Sequence, residues 1–136
     1  MKSFKTETKE LMQKLLKEDI FDKFLVRNVL LISFAKFEIS GPVFWVTLKP
    51  IILNIIKGAG KPKNFRIVFI LDEENTAQLH ENASNFSLNM NFSGEEVFFT
   101  TGTSEKNFSL DKSIEYVWEN YITDFFKTNK IIMEEL

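Results

Sequence analysis

The chain has 136 residues, is 44% hydrophobic with 15 phenylalanines, and contains no cysteine. That composition excludes a disordered segment, a disulfide scaffold, a thiolate metal site and a cysteine nucleophile. The net charge of −2 hides an asymmetry, because residues 1–71 carry 13 basic and 6 acidic side chains whereas residues 72–136 carry 4 and 13. A chain of this size buries roughly two-thirds of its unfolded surface, so a single α+β domain over residues 1–136 with one core is expected.

The N-terminal residues Met1-Lys2-Ser3-Phe4-Lys5 lead into a charged helical pattern with no apolar leader, and a cytoplasmic location is expected. The N-x-Ser/Thr sequons at Asn82, Asn85, Asn91 and Asn107 therefore carry no weight. The longest mostly apolar run, Val43 to Ile56, is interrupted by Lys49 and Pro50. It falls short of the roughly 20 residues a membrane helix needs, so no membrane association is expected.

A first helix is predicted from the stripe Leu11, Met12, Leu15 and Leu16, with Thr6 or Thr8 as N-cap and Glu7 and Glu10 in the favourable first turn. Two strands follow between Phe24 and Ile39, ending at Gly41-Pro42. A second helix is predicted to start with Thr47 as N-cap, which places Pro50 in the first turn, where its missing N–H costs nothing. Its stripe is Leu48, Ile51, Ile52, Ile55 and Ile56, and Lys57-Gly58 closes it.

Phe65 to Leu71, apolar on both alternating faces except at Arg66, reads as the central strand. Asp72 caps a short helix reaching about Glu81. Phe86, Leu88, Met90 and Phe92 alternate with Ser87, Asn89 and Asn91, and Ser93-Gly94-Glu95-Glu96 turns the chain into Val97–Thr101, a hairpin with one buried face. A tip at Gly102–Glu105 and a short strand at Asn107–Leu110 are expected next. The last helix is the clearest element: Ile114, Val117, Trp118, Tyr121, Ile122, Phe125 and Phe126 share one face, and Ser109 or Asp111 caps it. Burial of that face is worth on the order of 10 kcal/mol before entropy is subtracted, so this helix must pack on the sheet. The expected architecture is α+β, with about four helices on a mixed or antiparallel sheet of about five strands.

Several stretches resemble a small family of uncharacterised Firmicutes proteins classed as a domain of unknown function. They are Leu15-Leu16, Phe21-Asp22, Phe24-Leu25, Phe34, Phe37, Ile39 and Gly41, then Ile56-Lys57-Gly58, Pro62, Phe65 and Ile67-Val68-Phe69. Glu74-Asn75-Thr76, Thr100-Thr101-Gly102-Thr103-Ser104, Phe108, Leu110-Asp111-Lys112-Ser113 and Trp118 continue the pattern. The stretch from Gly41 to Trp45 departs from it by being shorter. None of these blocks is a catalytic signature, so the resemblance implies no activity.

The strongest functional signal is electrostatic. Between Glu38 and Asp72 the chain carries Lys49, Lys57, Lys61, Lys63 and Arg66 and no acidic residue. Lys richness alone proves little, since Lys outnumbers Arg 15 to 2 throughout the chain, but the placement concentrates anions locally. Lys57-Gly58-Ala59-Gly60-Lys61 follows a helix and ends in Lys61-Pro62, whereas a phosphate loop opens one and ends in Gly-Lys-Ser/Thr; a plain helix cap and turn is the better reading. The basic residues alternate with no exposed aromatics of the kind that stack bases.

Thr101, Thr103 and Ser104 gather hydroxyls at the hairpin tip, a candidate polar cluster for a small anion or a partner strand. His80 is the sole imidazole and no Gly-x-Ser-x-Gly elbow surrounds any serine, which argues against hydrolase chemistry. No catalytic residue, metal or cofactor is expected. The expected function is a noncatalytic cytoplasmic binding or protein-interaction module, whose partner is another protein or a second copy. The alternative is a nucleic-acid-associated accessory protein that binds phosphates through the acid-free stretch 39–71 with Lys57, Lys61, Lys63 and Arg66.

Overall fold

Period-two alternation and helical stripes together build two layers. A computed structural model, which describes residues 1–136, places in chain order β1 Ser3–Glu7, α1 Thr8–Lys17, β2 Leu25–Ile32, β3 Lys36–Phe44, α2 Trp45–Ala59 and β4 Asn64–Ile70. There follow α3 Glu73–Leu79, β5 Ala83–Ser93, β6 Glu96–Glu105, α4 Ser113–Thr128 and β7 Glu134–Glu135. One sheet takes in every strand in the order β3-β2-β4-β5-β6-β1-β7, and every pairing is antiparallel.

The class and the four helices are those expected, but the sheet has seven strands rather than about five. The two additional strands are non-local in origin. β1 buries a single apolar side chain, Phe4, and is held by its register with β6 from Ser3↔Thr100 to Glu7↔Glu96. β7 is two residues long and pairs Glu135 with Phe4 and Glu134 with Lys5. The strand expected over Asn107–Leu110 does not form; β6 runs on to Glu105, and Phe108 and Leu110 stand in solvent.

Helix boundaries shift where tertiary bonds outweigh local caps. α2 begins at Trp45, because Trp45 is fully buried, its N–H donates to the Phe24 carbonyl at 3.0 Å and its Nε1 to the Leu15 carbonyl at 3.0 Å. Pro50 consequently lies inside the helix rather than in its first turn, and Thr47 caps nothing. α2 ends at Ala59, and Gly60 with φ +83 supplies the positive-φ terminus expected two residues earlier at Gly58. The hydroxyls of Thr6 and Thr8 cap no helix and instead donate to the Ile132 and Glu95 carbonyls. Asp72 does cap α3, accepting the Asn75 N–H at 3.3 Å, and α3 stops at Leu79. Ahead of α4, Asp111 accepts the Ser113 N–H at 2.9 Å.

The face of the sheet bearing Phe65, Ile67, Phe69, Met90 and Phe99 is covered by α1, α2 and α4, and 29 buried apolar residues form one cluster there. Phe21, on the connection after α1, sits at its centre, stacked on Phe69 at 5.1 Å and edge-on to Phe125 at 5.3 Å. α4 is fastened by Trp118, whose ring stacks on Phe86 at 5.0 Å and whose Nε1 donates to the Ser87 carbonyl at 2.7 Å. Toward the β3 edge, the β2–β3 register shifts between Val26 and Asn28. Gly41 crosses that shift so closely that a Cβ would collide with the Val26 carbonyl oxygen, and only glycine fits.

Candidate functional site

The acid-free basic stretch is divided by the fold. Lys57 projects from the last turn of α2, and Lys61 and Lys63 are exposed on the connection to β4. None of these three lysines takes part in an ion pair. Arg66 alternates with Phe65 and Ile67 and so leaves the sheet on the face away from the helices. There it stands in a cross-strand row running Glu38, Leu30, Arg66, Asn91, Phe98 and Lys5. In the same row Asn91 Oδ1 is the one buried side-chain polar atom without a hydrogen bond. The fold therefore brings Lys57, Lys61 and Lys63 to one end of α2 and sets Arg66 apart. Lys61 also rims an apolar cleft of about 290 Å³, floored by Phe65 and Phe92 and walled by Met12, Ile56 and Pro62.

The hydroxyls of the β6 end have separate fates. Thr101 is 1% exposed and its Oγ1 accepts the Lys2 N–H at 2.9 Å, which pins β1 to β6. Ser104 is exposed and pairs in register with Asn85. Thr101 and Thr103 line a cleft of about 190 Å³ with Met1, Gly102, Glu115 and Glu119. The amino terminus of Met1 lies 3.7 Å from the Glu115 carboxylate and 3.9 Å from that of Glu119. Two carboxylates one helical turn apart make this cleft hospitable to a positive group and repulsive to an anion. Glu119, the one buried acidic residue, shares a helical stripe with Ile122 and Phe126. That carboxylate on an apolar stripe was the available sequence signal for the cleft.

His80 closes a structural relay. Its Nδ1 accepts the Asn82 N–H at 3.1 Å, which assigns the proton of the neutral ring to Nε2. Nε2 then donates to Ser113 Oγ at 2.9 Å, and the hydroxyl donates to Asp111 Oδ2 at 2.9 Å. A ring that presents N–H to the serine cannot take its proton, so the chain ties the end of α3 to the start of α4 and does not activate a nucleophile.

The two sheet edges differ. β7 is short and acidic, which discourages further pairing beside β1, whereas β3 presents nine residues with no strand on its outer side. Along this edge and the helix that follows it, Phe34 is 79%, Phe44 46%, Val46 49% and Ile51 48% exposed. Phe34 rests edge-on against the half-buried Phe37 at 6.0 Å.

Helices gathered on one face of an antiparallel sheet define a two-layer α+β protein whose opposite face and one long edge are left without partners. Residues 42–134 match the family model of DUF5721, a family of unknown function, and the chain belongs to that family. The match runs from the last residues of β3 to the first of β7, so the resemblance seen from Ile56 to Trp118 falls within it and that from Leu15 to Gly41 lies outside. No curated protein matches the chain, and neither does any solved structure. No helix is long and apolar enough to cross a membrane.

Proposed function

We propose that this chain is a noncatalytic protein-interaction module of the cytoplasm, acting as one domain. The observation that carries the reading is the concentration of exposed large apolar side chains beside the free edge: four of ten lie between Phe34 and Ile51. Single exposed apolar residues are ordinary on any protein, but these accompany a nine-residue strand edge with no strand on its outer side. Sedimentation velocity and binding assays with purified partners test it. The wild-type chain is expected to associate saturably, with itself or with another protein, and a Phe34→Ser/Ile51→Ser variant that keeps its circular dichroism spectrum is expected to lose that association. A wild-type chain that stays monomeric and binds no protein overturns the reading.

A second reading rests on a different observation. Lys57, Lys61 and Lys63 converge at one end of α2 without acidic partners, which supports binding of phosphate groups, those of nucleic acid included.

A further inference from the structure

Backbone direction along the sheet determines what the free edge offers. The Leu71 N–H donates to the Phe86 carbonyl at 3.1 Å. By alternation Phe65, Ile67 and Phe69 turn their peptide groups toward β5, while Asn64, Arg66 and Val68 turn theirs toward β2. Their partners Leu30 and Ile32 face β4, so Val29 and Leu31 face β3 and bond with Ile39 and Phe37. The Trp45 N–H bond to the Phe24 carbonyl gives the same phase at the other end of the strand, before the register shift. The N–H and C=O groups of Lys36, Glu38 and Ser40 therefore point outward from the edge, unpaired by any strand.

The side chains at these positions are self-complementary. Lys36 and Glu38 lie on the face away from the helices, 3.2 Å apart and 61% and 66% exposed. Phe37 lies on the other face with Phe34 against it. In an antiparallel pair of two β3 edges centred on Phe37, each Lys36 stands opposite the other copy's Glu38. These are hydrogen-bonded positions, which the outward peptide groups require. The two Phe37 rings then meet across a non-hydrogen-bonded position, where side chains approach most closely, and each Phe34 gains cover. Shifting the centre by one residue places Glu38 opposite Glu38, and the like charges reject that register. The edge that looks protected by charge is thus protected only against strangers.

We infer that the β3 edge is a homodimerisation strand, pairing antiparallel with β3 of a second copy about a two-fold axis through Phe37, with Lys36–Glu38 ion pairs on one face and a Phe34/Phe37 cluster on the other. This rests on the interaction reading above and names its partner. The pairing joins the two sheets into one, an isologous contact that closes without leading to a fibre.

Sedimentation equilibrium is the test, with circular dichroism confirming that each variant is folded. The wild-type chain should dimerise reversibly. Glu38→Lys should weaken the dimer at least about tenfold, because both cross-strand ion pairs become like-charge contacts. The exchanged variant Lys36→Glu/Glu38→Lys should restore it, since every opposite-charge contact returns with its sign reversed. The chain has no cysteine, so register can be read covalently. Phe37→Cys should oxidise to a disulfide dimer faster than Glu38→Cys, its Cα atoms standing about 4.5 Å apart, within the disulfide range. A dimer indifferent to Glu38→Lys, or one that crosslinks through Glu38→Cys in preference, overturns the inference. So does a monomer at every concentration, but that outcome leaves the broader reading standing if the chain binds a different protein.

Discussion

Lys49 Nζ lies 2.7 Å from Asp22 Oδ1 and 3.0 Å from the Glu18 carbonyl, tying α2 to the connection that follows α1. This lysine belongs to the acid-free stretch in sequence, yet the fold gives it an acid from elsewhere and withdraws it from any anion site. With 16% and 22% of the two side chains exposed, the pair stands between a surface ion pair and a buried one. Lys49→Met is expected to lower stability by about 1–2 kcal/mol, between the ~0–1 kcal/mol of exposed pairs and the ~3–5 kcal/mol of broken buried ones. Urea unfolding of Lys49→Met, Asp22→Asn and the double variant measures the coupling. Fully additive losses would show that the contact is incidental.

What could be read from the sequence follows from how local each signal is. α4, β4 and the β5–β6 hairpin were legible because their stripes or alternations span seven or more residues and bury the same face throughout. The Asp72 cap was legible because a single carboxylate and the next N–H groups decide it. β1 was not, since Phe4 alone marks its buried side and its partners are about a hundred positions away. The candidate sites divide in the same way. Charge counting located Lys57, Lys61, Lys63 and Arg66, but alternation along β4 sends Arg66 through the sheet to the far face, and a one-dimensional cluster carries no face. Thr101 and Thr103 stand out in the sequence as hydroxyls beside one glycine, whereas Glu115 and Glu119, the acidic wall of the same cleft, come from an element remote in sequence.

Stability should be greatest on a plateau between acid and alkaline limits. Asp111 is held below its ordinary carboxylate value first by the hydrogen bond it accepts from the Ser113 backbone N–H and then by the Ser113 hydroxyl. A depressed folded value means the contribution is present above the unfolded value and disappears as pH falls through the folded one. Lys2 and Lys5 are raised, foremost by hydrogen bonds to Glu135 and Glu96 respectively. For them the sign reverses: the contribution is full below the unfolded value and is lost as pH rises through the raised one. Thermal midpoints across pH are expected to show an acid flank flattened in Asp111→Asn and an alkaline flank flattened in Glu135→Gln and Glu96→Gln. Because all three groups are exposed, the changes should be small and should shrink in salt.

The phosphate reading has its own quantitative signature, fixed by the fold. Were the whole basic stretch one patch, five contacts would give a log–log salt slope of about −3.5 to −4.5. With Lys49 engaged by Asp22 and Arg66 on the far face, only Lys57, Lys61 and Lys63 remain together, and three contacts give about −2.1 for a single strand or −2.7 for a duplex. Fluorescence anisotropy of labelled oligonucleotides at several salt concentrations separates the two. Binding with the shallower slope, abolished by Lys57→Glu/Lys61→Glu/Lys63→Glu and untouched by Arg66→Glu, is the expected pattern for an anion site at the end of α2. If Arg66→Glu abolished binding as completely as the triple change, the ligand would have to lie across the uncovered face of the sheet, along the row that Arg66 shares with Asn91 and Phe98. A wild-type chain that leaves the oligonucleotides unbound at low salt removes the phosphate reading altogether.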